Sequence, residues 1–158
     1  MTQNKIFAFL LMSIALIGGL IFFTVNALSD VDPDEVNNIR FYKYNSGLGA
    51  DGYDVVAYFE ESRAVAGKQV FETTLGGMPW RFTSLENRQK FLADPLRYLP
   101  RYGGHCAYAV AQGYRAYGDP KAWSIHDGAL YFNYNKNIRN SWLANAEGFI
   151  KQRRKLAA

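Results

Sequence analysis

The feature that most constrains this chain is the run of residues 6–25, which carries no charge and only Ser13 and Thr24 as polar interruptions. A helix needs roughly 20 apolar residues to cross a bilayer core, whereas the apolar region of a signal peptide runs about 7 to 15. Lys5 precedes the run and Asp30, Asp32, Asp34 and Glu35 follow it, a charge order that sends the rest of the chain outward. Residues 1–28 are therefore expected to be a signal anchor. Val25, Asn26 and Ala27 also offer a cleavage site, so a signal peptide cut after Ala27 is the alternative. Both versions put the remainder in the periplasm, either on a single-pass inner-membrane protein or as a released domain.

What remains divides into an acidic spacer and lead-in at 29–49, a folded domain at 50–150 and a basic tail at 151–158. Cys106 is the only cysteine, which excludes an intrachain disulfide framework and a multi-cysteine zinc site alike. The core must do the work of holding the fold, and aromatic residues at 16% of the chain are enough for it. Net charge is +4, and Lys151, Arg153, Arg154 and Lys155 concentrate the excess at the end of the chain. A solvated helix terminus explains such a tail, and contact with anionic lipid or a partner is the competing reading. Basic and aromatic residues are not interleaved, so no nucleic-acid partner is expected.

Turn and cap residues divide the domain. Residues 41–45 suit a short strand, and 53–59 fit a helix or a strand equally. Segments 70–75 and 78–82 meet at Gly76 and Gly77, a hairpin signal. Ser84 caps a helix over 85–93 that presents Leu85, Arg88, Phe91 and Leu92, and Asp94 with Pro95 ends it and starts a shorter one. Leu96, Tyr98 and Leu99 pack inward from there. The plan then recurs: 122–126, a turn at Asp127 and Gly128, 129–134, and Asn135 capping a closing helix that holds Ile138, Trp142 and Leu143. Gly128 follows Gly77 by 51 residues, and the same shift maps Trp80 to Tyr131, Ser84 to Asn135, Arg88 to Arg139 and Phe91 to Trp142. The expected fold is α+β, a small single domain of two hairpin-plus-helix units facing a common core.

The stretch Trp80, Arg81, Phe82, Thr83, Ser84, Leu85, Glu86, Asn87, Arg88, with Phe91, Asp94, Pro95 and Tyr98, resembles the core signature of the YHS domain. Gly52 to Phe59 resembles the opening motif of that family's exported branch, as do Tyr102, Gly103, Gly104, His105, Cys106, Ala107 and Tyr108, and Asn133 to Asn135. The resemblance covers about residues 50–150. Some YHS domains occur in metal-transport ATPases and in metal-handling or hydroxylase proteins and carry cysteines suited to soft metals, so a metal role is implied. Those cysteine positions fall here on Ala57, Thr83 and Asn87, none of which supplies a thiolate, and the literal tyrosine, histidine and serine motif is not visible.

Residues 102–110 are the most chemically suggestive, because Gly103 and Gly104 leave backbone open to a ligand before a short helix ended by Gly113. Cys106 in its first turn would be stabilised as a thiolate, against the simpler reading of a small buried residue. His105, about 100° away on the same helix, is badly placed as its base. Cys106, His105 and His126 would suit copper or zinc if they converged; the simpler readings are an exposed His126 and a capping His105. Tyr53, Asp54, Tyr58, Tyr102 and Tyr108 are candidate pocket residues, whereas Trp80, Trp123 and Trp142 read as core. There is no phosphate loop, nucleophile elbow or dinucleotide fingerprint. Nothing singles out a hydrolase built on Asp54 or Asp119.

The leading reading is a non-catalytic exported module whose unknown ligand, copper or zinc first among candidates, is recognised around 103–108 and 53–59. A thiol-dependent enzyme or redox sensor centred on Cys106 and a membrane-anchored protein-interaction domain are the alternatives.

Overall fold

The computed structural model describes residues 39–157; the apolar segment 6–25 and the acidic spacer before Ile39 lie outside them. No helix among the described residues is long and apolar enough to cross a membrane. The domain is α+β, with two two-stranded antiparallel sheets and several helices.

Each hairpin is built by the same rules. Strand β1 (Lys68–Leu75) pairs with β2 (Met78–Phe82), and β3 (Asp119–His126) with β4 (Ala129–Asn133). The turns between them place Gly76 and Gly77 at φ 58° and 70°, and Asp127 and Gly128 at 48° and 68°. Two consecutive positive φ values give the twist a tight hairpin requires. The pairing repeats at the 51-residue shift: Lys68 opposes Phe82 and Glu72 opposes Arg81, as Asp119 opposes Asn133 and Trp123 opposes Phe132. A bulge between the two pairs falls at the same place in both hairpins.

The helices follow suit. Before the first hairpin stands the short α1 (Ala57–Glu60). After it, α2 (Leu85–Ala93) starts at Ser84, whose hydroxyl accepts from the Asn87 amide at 3.1 Å. Asp94 then caps α3 (Pro95–Tyr98). The helix α4 (Ala107–Ala111) precedes β3, and α5 (Lys136–Leu143) starts at Asn135, whose side chain accepts from Ile138 at 2.9 Å, again 51 residues on. The last helix, α6 (Ala146–Ala157), closes the domain.

Packing departs from one common core. Strand β4 is buried on both faces and divides two apolar clusters. Leu130 and Phe132 face Val55, Val56, Tyr58, Trp80, Phe82 and Phe91, while Ala129 and Tyr131 face Ala107, Trp142 and Ala146. Period-two alternation along a strand is what lets one strand serve both clusters. Residues 41–45 form no strand; they are tied down singly, the Tyr42 amide donating to Gly103 O at 2.8 Å. Of the ambiguous 53–59 segment only the end is helical, since Tyr53 is held in an isolated bridge with Ala66. Leu85, expected on the inner face, is 49% exposed because it is the first residue of α2 and precedes the packed turn.

Candidate functional site

Two tight turns stand at equivalent places, one before each hairpin. In the first, Ala50, Asp51 and Gly52 all have positive φ; in the second, Tyr102, Gly103 and Gly104 do, at 59°, 65° and 85°. Three left-handed residues in a row are costly, about 1 kcal/mol or more for each that carries a Cβ, and persist only where the surroundings hold them.

The first turn is covered apart from half-buried Asp51. Gly49 packs so close beneath Trp80 that a Cβ would lie 2.4 Å from the indole, and Ala50 is 2% exposed. Just beyond, Asp54 is wholly buried and accepts five hydrogen bonds. Val56 N and Ala57 N donate to Oδ1 at 2.9 and 3.2 Å. Thr83 N, Thr83 Oγ1 and Asn87 Nδ2 donate to Oδ2 at 2.7, 2.8 and 2.8 Å. Ala57, Thr83 and Asn87, the three positions to which the YHS resemblance assigns thiolates, thus all touch this carboxylate. A buried acceptor with every lone pair occupied stabilises the fold and leaves nothing for a ligand. Asp54 is a clamp joining α1, the end of β2 and α2. Neighbouring Tyr53 is half-buried in its bridge.

The second turn, Arg101–Gly104, is open on one side. Residues 40–44 strap its other side: Tyr44 Oη donates to Gly118 O at 2.7 Å and lies 3.3 Å from Gly104 O. A Cβ on Gly103 would meet Arg40 O at 2.3 Å, so this position requires glycine for space as well as for φ. His105 follows in extended backbone, not in the helix. Its Nδ1 lies 2.7 Å from Tyr102 O, which places the ring proton there and leaves Nε2 as the lone-pair nitrogen. Burial, aided by the nearby Arg115 guanidinium and opposed by the Tyr102 carbonyl, holds the His105 pKa below the ordinary histidine value. The imidazole is neutral at pH 7.

Cys106 precedes α4 as its N-cap and is 1% exposed. Its Sγ lies 3.9 Å from Asn133 Oδ1, which also accepts from the Tyr108 amide at 3.2 Å. Asn133 Nδ2 is buried without a hydrogen-bond partner among the described residues. His126 stands edge-on to Trp142, ring centroids 5.8 Å apart, with Nε2 3.6 Å from Asp127 Oδ2. His105, Cys106 and His126 therefore do not gather, and no group of three histidine, cysteine or acidic side chains among the described residues could hold a metal ion.

A cleft of about 780 Å³ opens over the second turn. Tyr102, Gly103 and His105 line it, whereas Tyr108 packs against Phe149, ring centroids 5.1 Å apart and planes tilted by 60°. Ile39, Leu96, Leu99, Pro100 and Val110 give it apolar walls. Gly113, Tyr114, Arg40, Arg101, Arg115 and Arg153 complete the lining, and among the described residues no acidic side chain contributes. These arginines come from four separate places in the chain and belong to no sequence motif, which is why sequence reasoning misses them. The volume lies within the roughly 300–1,000 Å³ of small-molecule sites.

Comparison of the chain with models of known families, with curated proteins and with solved structures finds no match. The YHS resemblance accordingly stands on the motifs quoted above.

Proposed function

We propose that this is an exported, non-catalytic, YHS-like binding module, carried by its N-terminal segment at the periplasmic face of the membrane, whose ligand occupies the cleft over Arg101–Gly104. The observation that carries the reading is the cleft itself. A strained turn with an obligatory glycine backs it, His105 and Tyr102 line it, and it is large enough for a small molecule. Of the two segments named from sequence, 103–108 contributes only Gly103 and His105 to the cleft, and the Asp54 clamp accounts for 53–59 as architecture. Copper or zinc would meet one neutral imidazole nitrogen at the cleft, so a metal ligand is the weaker version of the proposal. The thiol-based alternative has less support still, because Cys106 lies behind the turn and out of solvent.

Cleft-filling tests the reading. In full-length protein in phosphatidylcholine nanodiscs, a small-molecule extract of periplasm should slow amide hydrogen exchange across 101–115. Val110→Phe, which fills the cleft from its wall, should abolish that protection while leaving thermal stability within a few degrees. Protection elsewhere, or protection that survives Val110→Phe, would contradict it.

A further inference from the structure

We infer that the ligand of this cleft is an amphipathic anion, a phosphate, sulfate or carboxylate head on an apolar body. The inference rests on the reading of the cleft as a binding site and names what it takes. Burial divides the lining in two. Leu99, Pro100 and Val110 are buried and Leu96 and Ile39 half-buried, whereas Arg40, Arg101 and Arg115 are exposed and Arg153 is half-buried. The deeper lining is thus mainly apolar side chains with His105 and Gly103 among them, and the exposed rim carries Arg40, Arg101 and Arg115 beside Gly113 and Tyr114. Among the described residues none of the four guanidinium groups has a carboxylate partner, although Arg63, Arg81 and Lys90 elsewhere on the domain each do. Four arginines brought to one opening with no acidic neighbour among the described residues repel one another until an anion joins them. Guanidinium groups also bind oxyanions through paired, charge-assisted hydrogen bonds.

The interior speaks against a bare inorganic ion. A small hydrated anion would sit at the mouth and leave the apolar walls wet, whereas an apolar body fills them and removes that surface from water. His105 Nε2 adds one acceptor, suited to a hydroxyl or amide N–H on the same molecule. Location is consistent with an amphiphile drawn from the bilayer. Ile39 lies in the cleft wall, and the 13 residues between Val25 and Ile39 span at most about 45 Å.

The test separates head from tail and lipid from soluble molecule. Full-length protein in phosphatidylcholine nanodiscs is titrated with hexyl sulfate, 1-hexanol and inorganic sulfate, reading exchange protection at 101–115. The inference expects hexyl sulfate to bind at least about tenfold more tightly than either comparator, and the double variant Arg101→Gln/Arg115→Gln to lose about tenfold or more of that affinity at unchanged thermal stability. Hexanol binding as tightly as hexyl sulfate, or an affinity indifferent to the arginine pair, would overturn the anion while sparing the cleft. No protection by any probe would overturn the anion and count against the cleft reading as well. Nanodiscs containing phosphatidylglycerol distinguish the source: protection without added probe identifies a lipid, and protection only with added hexyl sulfate a soluble amphiphile.

Discussion

The two halves of the domain share a hairpin register, a helix cap and a strained turn, yet their centres are opposites. In the first half the turn lies under Trp80 and the adjoining carboxylate of Asp54 is saturated by five donors. In the second, Cys106 and Asn133 occupy the corresponding interior with one amide nitrogen unpartnered among the described residues, and the turn faces an open cleft. Under the proposed function, the same backbone device serves architecture in one place and a binding surface in the other. What differs is the cover: an indole from β2 over the first turn, and the apolar and arginine residues of the cleft around the second.

Four substitutions and one alkylation would break or sharpen this contrast. The largest effect is expected from Asp54→Asn, which puts an N–H₂ group among five donors and leaves buried hydrogen-bonding groups unmet. About 3 kcal/mol of stability should be lost, or roughly 10 °C in melting temperature, measured by denaturant and thermal unfolding. A loss below about 1 kcal/mol would show that the clamp is not structural. Gly103→Ala should cost about 2 kcal/mol, since it combines a positive φ with a clash against the Arg40 carbonyl. The same change at Gly77, where φ is also positive but nothing lies within 4 Å, should cost about half as much.

Cys106 should react with a neutral alkylating agent at least about tenfold more slowly than free cysteine at pH 7, because the thiol must wait for local opening. Rapid, zinc-protected alkylation would instead revive the thiol or metal reading. The smallest effect concerns pH. The folded-state pKa of His105 lies below its unfolded value of 6.5, so the unfolded chain binds the proton first as pH falls. Its contribution to stability is complete above that value and declines as pH drops below it. His105→Gln should flatten the stability profile in the acid range, and an unchanged profile would remove His105 as the cause.

Much of the fold is legible in the chain. Gly76–Gly77 and Asp127–Gly128, together with the Ser84 and Asn135 caps, announce both hairpins and both following helices, because turn and cap chemistry is local. The two-sided burial of β4 is not legible, since alternating Leu130, Tyr131 and Phe132 look alike whichever cluster each one faces. Of the site, Tyr102, Gly103 and His105 stand out as a motif. The arginines do not, because Arg40, Arg101, Arg115 and Arg153 become neighbours only when the strap, the turn, the α4–β3 loop and α6 come together. Asp54 misleads for the opposite reason: a tyrosine and an aspartate beside a glycine look like a site, and only the hydrogen bonds that Thr83 and Asn87 give the buried carboxylate show a clamp.

The central claim is that one of two equivalent turns binds a ligand and the other does not, and their glycine amides report on it directly. Full-length protein, ¹⁵N-glycine labelled in phosphatidylcholine nanodiscs, should show saturable shifts of Gly103, Gly104 and Gly113 on addition of hexyl sulfate while Gly49, Gly52 and Gly67 stay in place. Shifts of equal size at both turns, or shifts confined to the first, would contradict the account.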